Sequence, residues 1–492
     1  MRGLSALVLC LTVASAAAQD MGAALLGAMP AVAAAIMPSP AAQTGGDWVQ
    51  GILTFRGRPD RSGHATGRLP RNPQVLWRTG PYCGQSSDQS GTRQWCGTGW
   101  TGQPAIRPLP GGRAEVIFGA YDHRLHFLDA ATGTAIRAPF KTGDIIKGSV
   151  TLDPTGLPLL YTGSRDNFLR ILRLDDAEAV EVWRLDGNAP DAVWNNDWDS
   201  SPLILGDWMF QGGENSWFYV VRLNRGRDAA GRVIVAPALV NRIAGFTPAL
   251  FAAIGDRMVS IETSAMASGG AVWFANSGGL VQGYRIADLI AGRPRADALV
   301  MEWQAGDDVD ATLVGGPDGA IYVSVEDERP PSPAKALTGH LARLDPSRPE
   351  NPLDWSVTFP GTYSGDGGLW ATPALHAGHL YVPTHAGGLY TIEAATGRIT
   401  SEIAMPAHGW SSPVVVGTEL LVGTCDGELV AFSLAIPATP REVWRFRPPG
   451  AGCWESTPAV WDGVIYVGNR DGHVYAIGQG AAEGGMVDVA LQ

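Results

Sequence analysis

Charged residues are scarce in this sequence, and positive charge is the scarcer sign. Asp, Glu, Lys and Arg make up 17% of the 492 residues, with 36 basic against 48 acidic side chains and a formal net charge of -12. An average domain carries about 25% charged residues. There is no basic run and no Walker-type phosphate loop, and nucleic-acid binding requires clustered Lys and Arg to displace counterions. The sequence therefore predicts no nucleic-acid partner.

Cysteine is also scarce, and its spacing excludes two common kinds of site. None of the five cysteines lies in a CxxC or CxxCH pair, which excludes a zinc ribbon and covalently bound haem. Four cysteines follow the N-terminal apolar stretch, and an even number in an exported chain indicates disulfides. Four cysteines allow three connectivities. We favour Cys83–Cys96 within one loop and Cys425–Cys453 between neighbouring repeats.

Long uninterrupted apolar runs are absent, apart from a short one at the N-terminus. Arg2 precedes the apolar residues Leu4–Val13, and the small residues Ala16–Ala18 follow, which is the pattern of a cleaved secretory signal. The apolar run is too short to span a bilayer. We predict a signal peptide over residues 1–19, an Ala/Pro-rich leader and linker over residues 20–70, no transmembrane span, and a periplasmic or secreted protein.

Glycine, proline and tryptophan are abundant by contrast, with 63, 35 and 17 copies. This composition indicates many short strands joined by tight turns. The repeating unit is clearest near the C-terminus, where the strands Val464–Gly468 and His473–Ile477 flank the turn Asn469–Gly472. Asp-Gly turns between apolar runs are a strong hairpin signal. The same strand–turn–strand segment recurs from Gly119, Gly163, Gly212, Ala275, Ser324, Thr384, Thr424 and Asn469.

Eight copies without linkers predict one closed ring rather than a row of separate β-sandwich domains. A fourth strand follows most copies, but the last copy has no fourth strand after it. Pro73–Arg78 matches the missing strand, so an N-terminal strand closes the ring and removes the exposed sheet edges. The predicted fold is all-β: an eight-bladed β-propeller of four-stranded antiparallel blades over residues 71–480, followed by a tail at 481–492.

Several of these units resemble the repeat of a known family. Leu128–Gly133 reads LDAATG, Ile392–Gly397 reads IEAATG, and Ser411–Val415 reads SSPVV. Together with Glu455–Ile477 they are similar to the repeat of the pyrroloquinoline-quinone-type (PQQ-type) propellers, over roughly residues 73–478. The resemblance implies the propeller fold. It leaves the function open, because this fold serves both quinone-dependent dehydrogenases and non-catalytic scaffolds.

The loops that enter the first strand of each repeat carry acids, amides and tryptophans. In a propeller these loops lie at one mouth of the central channel, so their side chains converge there. Converging carboxylates favour a cation, and an oxygen-rich cluster suits Ca²⁺. The alternative is that each Asp or Asn only caps its own turn. We predict a cofactor- or ligand-binding mouth that contains Lys147, Glu262, Trp370, Trp410 and Glu455.

The resemblance adds a more specific expectation for the same mouth. The family's dehydrogenases hold calcium and the quinone with a Glu, an Asn and an Asp from successive blades, and the Asp is the catalytic base. The matching metal ligands here are Glu214, Asn276 and Asp308. The matching base is Asp307 or Asp308, and Arg329 matches the arginine that contacts the quinone.

Two features of those dehydrogenases are missing from this sequence. There is no adjacent cysteine pair to lie over the cofactor, and no Trp precedes Asn276 in its repeat, where Met258–Ser264 reads MVSIETS. We therefore favour an exported ligand-binding or scaffold propeller, with a small-molecule ligand or a protein partner and an acidic, Trp-lined mouth suited to a metal ion. The alternative hypothesis is a PQQ- and Ca²⁺-dependent oxidoreductase. A third hypothesis is a metal-dependent hydrolase or lyase.

Overall fold

The structure is a computed structural model that describes residues 48–480, apart from residue 66 and residues 89–90, 100–101 and 362–366. The predicted signal peptide, the predicted leader up to residue 47 and the predicted tail lie outside the described residues. The fold is mostly β, with 41% strand and 6% helix. Within the described part of the chain, no helix is long and apolar enough to cross a membrane.

Eight four-stranded antiparallel sheets form the eight blades of a β-propeller, which confirms the predicted fold. Four strands precede the first blade: β1 His64–Ala65, β2 Pro73–Thr79, β3 Cys83–Asp88 and β4 Gly91–Cys96. Blade 1 comprises β5 Ala105–Pro108, β6 Ala114–Ala120, β7 Arg124–Asp129 and β8 Phe140–Lys141. Blade 2 comprises β9 Thr151–Leu152, β10 Leu159–Thr162, β11 Phe168–Arg173 and β12 Val180–Asp186. Blade 3 comprises β13 Leu203–Leu205, β14 Trp208–Gly212, β15 Trp217–Arg222 and β18 Ala238–Ala244, with the small hairpin β16 Gly226–Arg227 and β17 Val233–Ile234 inserted.

The later blades repeat this order of strands. Blade 4 comprises β19 Met266–Ser268, β20 Ala271–Phe274, β21 Leu280–Arg285 and β22 Leu299–Gln304. Blade 5 comprises β23 Val314–Gly315, β24 Ile321–Ser324, β25 Leu341–Leu344 and β26 Leu353–Val357, and blade 6 comprises β27 Ala374–His376, β28 His379–Pro383, β29 Gly388–Glu393 and β30 Ile399–Ala404. Blade 7 comprises β31 Val414–Val416, β32 Glu419–Gly423, β33 Leu429–Ser433 and β34 Arg441–Phe446, and blade 8 contains β35 Ala459–Trp461, β36 Val464–Gly468 and β37 Val474–Gln479. The helices are α1 Pro248–Ile254, α2 Ile286–Ile290, α3 Arg295–Ala298 and α4 Pro333–Thr338, and Pro110–Gly112 is a single 3-10 turn.

Burial explains which strands are continuously apolar. Inner strands are sandwiched between neighbouring blades, so β10 and β20 are buried at every position. Outer strands face solvent on one side, so β2 and β30 alternate between exposed and partly buried residues, as expected for a half-buried strand. The core therefore consists of apolar layers between adjacent blades, such as the cluster shared by blades 4 and 5.

The N-terminal strand β2 is the fourth strand of blade 8, as the sequence predicts. It pairs antiparallel with β37, from Pro73 opposite Gln479 to Thr79 opposite Val474. Pairing of the chain's two ends in one sheet closes the ring and leaves blade 8 without an open outer edge at β37.

The AATG motif of the repeat is explained by contacts between blades. Trp77 of blade 8 donates from Nε1 to Ala130 O of blade 1 at 3.0 Å, and Trp355 of blade 5 donates to Ala394 O of blade 6 at 3.2 Å. The motif's glycine lies under the indole in the second case, where Gly397 has a φ of +73° and a Cβ would approach Trp355 to 2.7 Å. Only glycine fits such a position without strain.

Residues 48–65 fill the central channel, although the sequence analysis placed them in the leader and linker. Their backbone bonds to the first strands of blades around the ring. The bonded pairs are Ile52 with Ile106, Leu53 with Leu152, Pro59 with Ala267, Asp60 with Gly315, Ser62 with Leu375, and Gly63 with Val415. We call this segment the plug. It closes the channel on the face that carries the turns between first and second strands, since Val49 bonds to Pro154 in one such turn.

Two fully buried arginines hold the plug in place. Arg56 donates to the carbonyl oxygens of Pro373 at 2.7 Å and Pro413 at 3.0 Å, and Arg61 donates to Ala265 O at 2.9 Å. Burial lowers the pKa of both guanidinium groups to about 9, so both remain charged at neutral pH. Charged donors to backbone carbonyls give strong hydrogen bonds in this dry interior.

Both predicted disulfides are present. Cys83–Cys96 joins β3 and β4 in one hairpin. Cys425–Cys453 joins the turn between β32 and β33 to the loop that enters blade 8. Both lie on the face opposite the plug, which we call the mouth.

Candidate functional site

Hydroxyl side chains at the start of the first strands join neighbouring blades around the mouth. A backbone N–H of one blade donates to the hydroxyl of the next. The bonds run from Gln103 to Ser149 (2.8 Å), Ser201 to Ser264 (2.9 Å), Ser264 to Thr312 (3.0 Å), Thr312 to Thr372 (3.0 Å) and Thr372 to Ser412 (3.1 Å). This ring fixes the first strands at one height in the channel.

The residues two positions before these ring positions line the mouth at the next level. Because side chains two apart in an extended segment point the same way, they share one layer above the ring. From blade 2 to blade 8 they are Lys147, Asp199, Glu262, Asp310, Trp370, Trp410 and Glu455. The layer is acidic over blades 3 to 5 and aromatic over blades 6 and 7.

The first part of the acidic layer surrounds a lysine. Lys147 Nζ forms ion pairs with Asp199 and with Glu214 Oε1, the second at 3.8 Å. The carboxylates of Asp199, Glu214 and Glu262 each offer an oxygen within 4.8 Å of the others. Asn195 donates to the second oxygen of Glu214 at 2.8 Å. This part therefore combines three carboxylates with one ammonium group.

The second part lies over blade 5 and contains Asp308, Asp310 and Glu326. A side-chain hydrogen bond joins Asp308 to Asp310. Ser277 donates to Asp310 Oδ1 at 3.1 Å and lies 2.6 Å from the hydroxyl of Ser260. These serines connect the two parts, because Ser260 also donates to Glu262 at 3.0 Å.

Three buried carboxyl oxygens in this second part lack hydrogen-bond partners among the described residues. Glu326 is 1% exposed, and neither of its oxygens has a partner. Asp308 Oδ1 is also buried without one. An unpaired buried carboxylate is costly, and it is normally neutralised by a proton or a cation.

Burial and mutual repulsion raise the pKa of most of these acids. Burial is the largest cause for Glu214, and Asp199 and Glu262 add to it. Burial and then Asp310 raise the pKa of Glu262, and burial, Asp310 and Asp308 raise that of Glu326. Although burial lowers the pKa of Lys147, the neighbouring carboxylates raise it well above its ordinary value. The cluster thus holds more potential negative charge than its lysine neutralises.

The aromatic half of the mouth is a packed group of four rings. Trp370 and Trp410 stack with ring centroids 5.0 Å apart and an interplanar angle of 13°. His385 and His408 meet edge to face at 5.0 Å, and both contact Trp410. Burial lowers the pKa of His408, which favours its neutral form. The wall is therefore apolar, with imidazole nitrogens at its edge.

The hairpin β3–β4 and Glu455 form the remaining side of the mouth. Glu455 pairs with Arg470 at 3.6 Å, and the Arg470 guanidinium lies 5.4 Å from the ring centroid of Trp95 on the hairpin. Arg165, which donates to Asp197 at 2.5 Å, also donates to Ser87 O of the hairpin. Glu455 thus has a cation of its own.

Comparisons with known proteins agree with this architecture. The family described as "Outer membrane protein assembly factor BamB" matches residues 339–481. BamB from Moraxella catarrhalis is structurally similar, with 16% sequence identity, a TM-score of 0.53, and coverage of 76% of this chain and 95% of that chain. The computationally designed protein Ika8 is similar at 11% identity, with a TM-score of 0.52 and the same coverage. At these identities the likeness shows the fold alone. No curated protein sequence matches this chain.

The match over residues 339–481 is consistent with the PQQ-type propeller repeat. The predicted resemblance is therefore confirmed. A propeller of this type supports a binding or scaffold role in general.

The residues predicted from the resemblance to quinone-binding dehydrogenases do not all face the mouth of this propeller. Asn276 donates to Gly245 O of blade 3 at 2.6 Å and accepts from the backbone N–H groups of Gly278 and Leu280 in its own turn, so both ends of its carboxamide are used within the fold. Arg329 donates to Asp256 at 2.6 Å and to Ser277 O at 3.1 Å. Because both side chains already have partners within the protein, they do not fit a role as quinone contacts.

Asp307 is also held by contacts within the fold. It forms an ion pair with Lys335 of α4 and accepts from the backbone N–H of Arg329 at 3.0 Å and of Asp308 at 2.8 Å. Lys335 in turn pairs with Asp327. Asp307 therefore anchors the insertion that contains α4, while Asp308 points into the acidic cluster.

Three members of the acidic cluster, Asp199, Asp310 and Glu326, are not among the site residues predicted from the sequence. Asp199 and Asp310 have the same register as Lys147 and Glu262, two positions before a ring residue, and that register would have identified them. Glu326 lies two residues after β24 and carries no such signal. Its place depends on the course of the chain beyond the strand.

A separate cavity of about 1100 Å³ opens on the plug face. Its lining includes Leu205, Ala267, Leu375 and the plug residue His64. It lies at the turns between first and second strands, away from the acids and tryptophans of the mouth. The acids and tryptophans of the mouth and this cavity therefore lie on opposite faces of the ring.

Proposed function

We propose that this PQQ-type propeller is a non-catalytic binding scaffold whose mouth holds a divalent cation of the Ca²⁺ type. The cation sits in the acidic half and leaves the aromatic half and the rim free for a ligand or a protein partner. The plug closes the other end of the channel, so the mouth is the open approach to the cation.

The single observation that carries this proposal is the buried, unpartnered carboxylate of Glu326. It lies beside Asp308, Asp310 and Glu262, whose pKa values are all raised by burial and by one another. Caps and turns account for an Asp or Asn that bonds to nearby backbone, but they do not account for a carboxylate that bonds to nothing. A hard cation bound beside these acids offsets the charge that such a group carries.

The donor atoms that fit one ion are those of Asp199, Glu214 and Glu262. Ca²⁺ binds oxygen at about 2.3–2.6 Å, so two ligands of one ion lie at most about 5 Å apart. The 4.8 Å limit that these three carboxylates meet is compatible with that geometry. Lys147 balances part of their charge, and Asp308, Asp310 and Glu326 supply further negative potential on the side away from the lysine.

The experiment is isothermal calorimetry of the purified protein with Ca²⁺ and then with Mg²⁺. We expect Ca²⁺ to bind with one site, and Glu262→Gln to abolish the binding because Glu262 is one of the three proposed ligands. Glu326→Gln should weaken binding by about tenfold or more, since a loss of about 1.4 kcal/mol is a factor of ten. Affinity should rise with pH, because the ion competes with protons on acids whose pKa values are raised.

Glu455→Gln is the matched control, because Glu455 lies in the same layer but pairs with Arg470. It should leave Ca²⁺ affinity unchanged. Absence of binding to the wild-type protein, or equal binding by Glu262→Gln, would contradict the cation site.

A second titration separates the scaffold from the dehydrogenase alternative. With Ca²⁺ in excess, pyrroloquinoline quinone should give no further heat, because Asn276 and Arg329 are occupied elsewhere. Tight quinone binding that Asn276→Ala abolishes would reverse this conclusion and favour the oxidoreductase.

We further propose that the scaffold acts outside the cytoplasm. Its support is the signal-like sequence at residues 1–19, the two disulfides and the match to a family described as an outer membrane protein assembly factor. Cell fractionation followed by mass measurement tests this: the extracytoplasmic chain should lack about the first 19 residues and contain no free thiol. Intact protein in the cytoplasm would contradict the proposed location.

A further inference from the structure

A second group of potential metal ligands lies in the aromatic half of the mouth, apart from the acidic cluster. A ring nitrogen of His408 and the sulfur atoms of Cys425 and Cys453 all lie within 4.8 Å of one another. The three residues come from different connections: the loop entering blade 7, the turn between β32 and β33, and the loop entering blade 8. All three are partly exposed, so solutes reach them from the mouth.

The backbone holds these three residues together independently of the disulfide. Cys425 N donates to His408 O at 3.0 Å, and Arg470 N donates to Cys453 O at 3.0 Å. Trp454 N donates to Thr424 O at 3.3 Å, so the segments that carry the two cysteines are also bonded to each other. Opening the sulfur–sulfur bond therefore leaves two thiols in place beside an imidazole.

A second histidine is placed to complete the set. The rings of His385 and His408 have centroids 5.0 Å apart at an angle of 71°. Two imidazoles bound to one tetrahedral zinc ion have centroids roughly 5 Å apart, because each Zn–N bond is about 2.0–2.1 Å. Two cysteines and two histidines are a common donor set for structural zinc.

We infer that the Cys425–Cys453 disulfide masks a Zn²⁺-type metal site, and that reduction of this bond exposes Cys425, Cys453 and His408 as ligands, with His385 as the fourth. A disulfide sulfur carries no negative charge, whereas a thiolate is the form that binds zinc. The site is soft, with sulfur and nitrogen donors, and the acidic cluster is hard, with oxygen donors. The two sites therefore select different metals, and this inference does not depend on the proposed function.

A dithiol can act as the reductant that opens the Cys425–Cys453 disulfide. The dithiol gives two electrons to the protein disulfide, the sulfur–sulfur bond breaks, and the products are two cysteine thiols and the oxidised cyclic disulfide of the reductant. Zn²⁺ then displaces one proton from each thiol as the two Zn–S bonds form, and both protons leave to solvent. In reverse, a small-molecule disulfide accepts two electrons from the two zinc-bound thiolates and becomes two thiols with protons from solvent, the Cys425–Cys453 bond forms again, and the ion is released.

Metal titration of the oxidised and the reduced protein tests the inference, with Co²⁺ as the spectroscopic probe and Zn²⁺ as the competitor. After treatment with a dithiol and anaerobic desalting, the protein should bind one equivalent of Co²⁺ with the absorption bands of tetrahedral cobalt–thiolate coordination. Zn²⁺ should displace it. The oxidised protein should give no such bands.

His408→Ala separates a metal site from a disulfide that only joins blades 7 and 8, because it keeps both cysteines and the disulfide. It should lower the Zn²⁺ affinity of the reduced protein by more than about tenfold. His379→Ala, on the plug face, is the matched control and should change nothing. Cys83→Ser with Cys96→Ser should retain the cobalt bands, which assigns them to the other cysteine pair.

The inference is overturned if the reduced protein keeps its near-ultraviolet circular dichroism and still shows no cobalt–thiolate bands. It is also overturned if His408→Ala binds Zn²⁺ as tightly as the wild-type protein. Calcium calorimetry on the oxidised protein reports on the acidic cluster alone. Failure of the calcium site is therefore distinguishable from failure of the zinc site.

Discussion

At the scale of single residues, the mouth is defined by Lys147 and the carboxylates around it. The lysine is 14% exposed, and its partner Asp199 is fully buried. Removing one member of a buried ion pair leaves the other charge without compensation, which is more harmful than removing both. Lys147 therefore compensates part of the negative charge in the acidic half of the mouth, and we expect the fold to be less stable without it.

We expect Lys147→Met to lower the free energy of unfolding at neutral pH by about 3 kcal/mol, because Asp199 and Glu214 lose their ammonium partner. Urea denaturation followed by tryptophan fluorescence measures the change. Lys141→Met, at an exposed strand position, is the matched control and should stay within about 0.5 kcal/mol of the wild type. An equal effect of both substitutions would argue against the ion pair.

The raised pKa of Glu326 predicts a pH dependence of stability. Its ordinary value is 4.5, and burial and then Asp310 raise it in the folded state. The folded protein then binds the proton more tightly than the unfolded chain, so stability falls as pH rises from about 4.5 through the raised value. Glu326→Gln should make this fall shallower, as measured by urea midpoints between about pH 5 and about pH 9.

The same experiment with saturating Ca²⁺ should also reduce the fall in the wild-type protein, because the cation replaces the lost proton. A Glu326→Gln profile parallel to the wild-type profile would show that Glu326 does not titrate in this range.

The sequence identifies many residues of the mouth, because they recur at one register in the repeat. Lys147, Glu262, Trp370 and Trp410 are in the positions that the repeat predicts. Asn276 illustrates what the sequence does not reveal. An amide at the end of a second strand is equally suited to bind a ligand or to cap its own turn, and only the partner atoms distinguish the two.

At the scale of elements, the plug is the feature with the largest effect on the channel. Arg61→Met should lower the free energy of unfolding by about 3 kcal/mol or more, because it removes charge-assisted hydrogen bonds and leaves Ala265 O without its donors. Arg58→Met is the matched control from the same segment, since the Arg58 side chain is 60% exposed. Differential scanning calorimetry of the two variants measures the difference, and similar melting temperatures would refute the role of Arg61.

The strands were predictable and the plug was not, for a physical reason. Asp-Gly turns and alternating apolar residues mark the strands locally, so each blade is visible in its own segment. The plug has no such pattern, because its contacts are backbone bonds and arginine–carbonyl bonds to residues hundreds of positions away. Arg56 reaches Pro413, 357 positions along the chain. Nothing near Arg56 in the sequence indicates that it is buried.

At the scale of the whole molecule, the ring depends on strand β2. Replacing residues 73–79 by a Gly/Ser segment should open blade 8 and expose the edge of β37. An exposed strand edge pairs with other chains, so we expect concentration-dependent association and a broad thermal transition. Analytical ultracentrifugation and calorimetry measure these effects.

The matched control replaces the exposed turn Asp228–Gly231 of the small hairpin, which belongs to no blade. This variant should remain as cooperative as the wild type and keep its oligomeric state. A β2 replacement that also behaves like the wild type would mean that the blades are stable without closure.

The plug and β2 are also the first described parts of the chain to leave the ribosome, whereas β37, the partner strand of β2, is the last described strand to leave it. Arg71 bonds to Gln479, 408 positions later. At roughly 5–20 residues per second, tens of seconds of synthesis separate the two. Throughout that interval β2 lacks its partner strand, and Arg56 lacks the carbonyl oxygen of Pro413 for most of it. The ring therefore closes only once blade 8 has been made and becomes available to the segment that was made first.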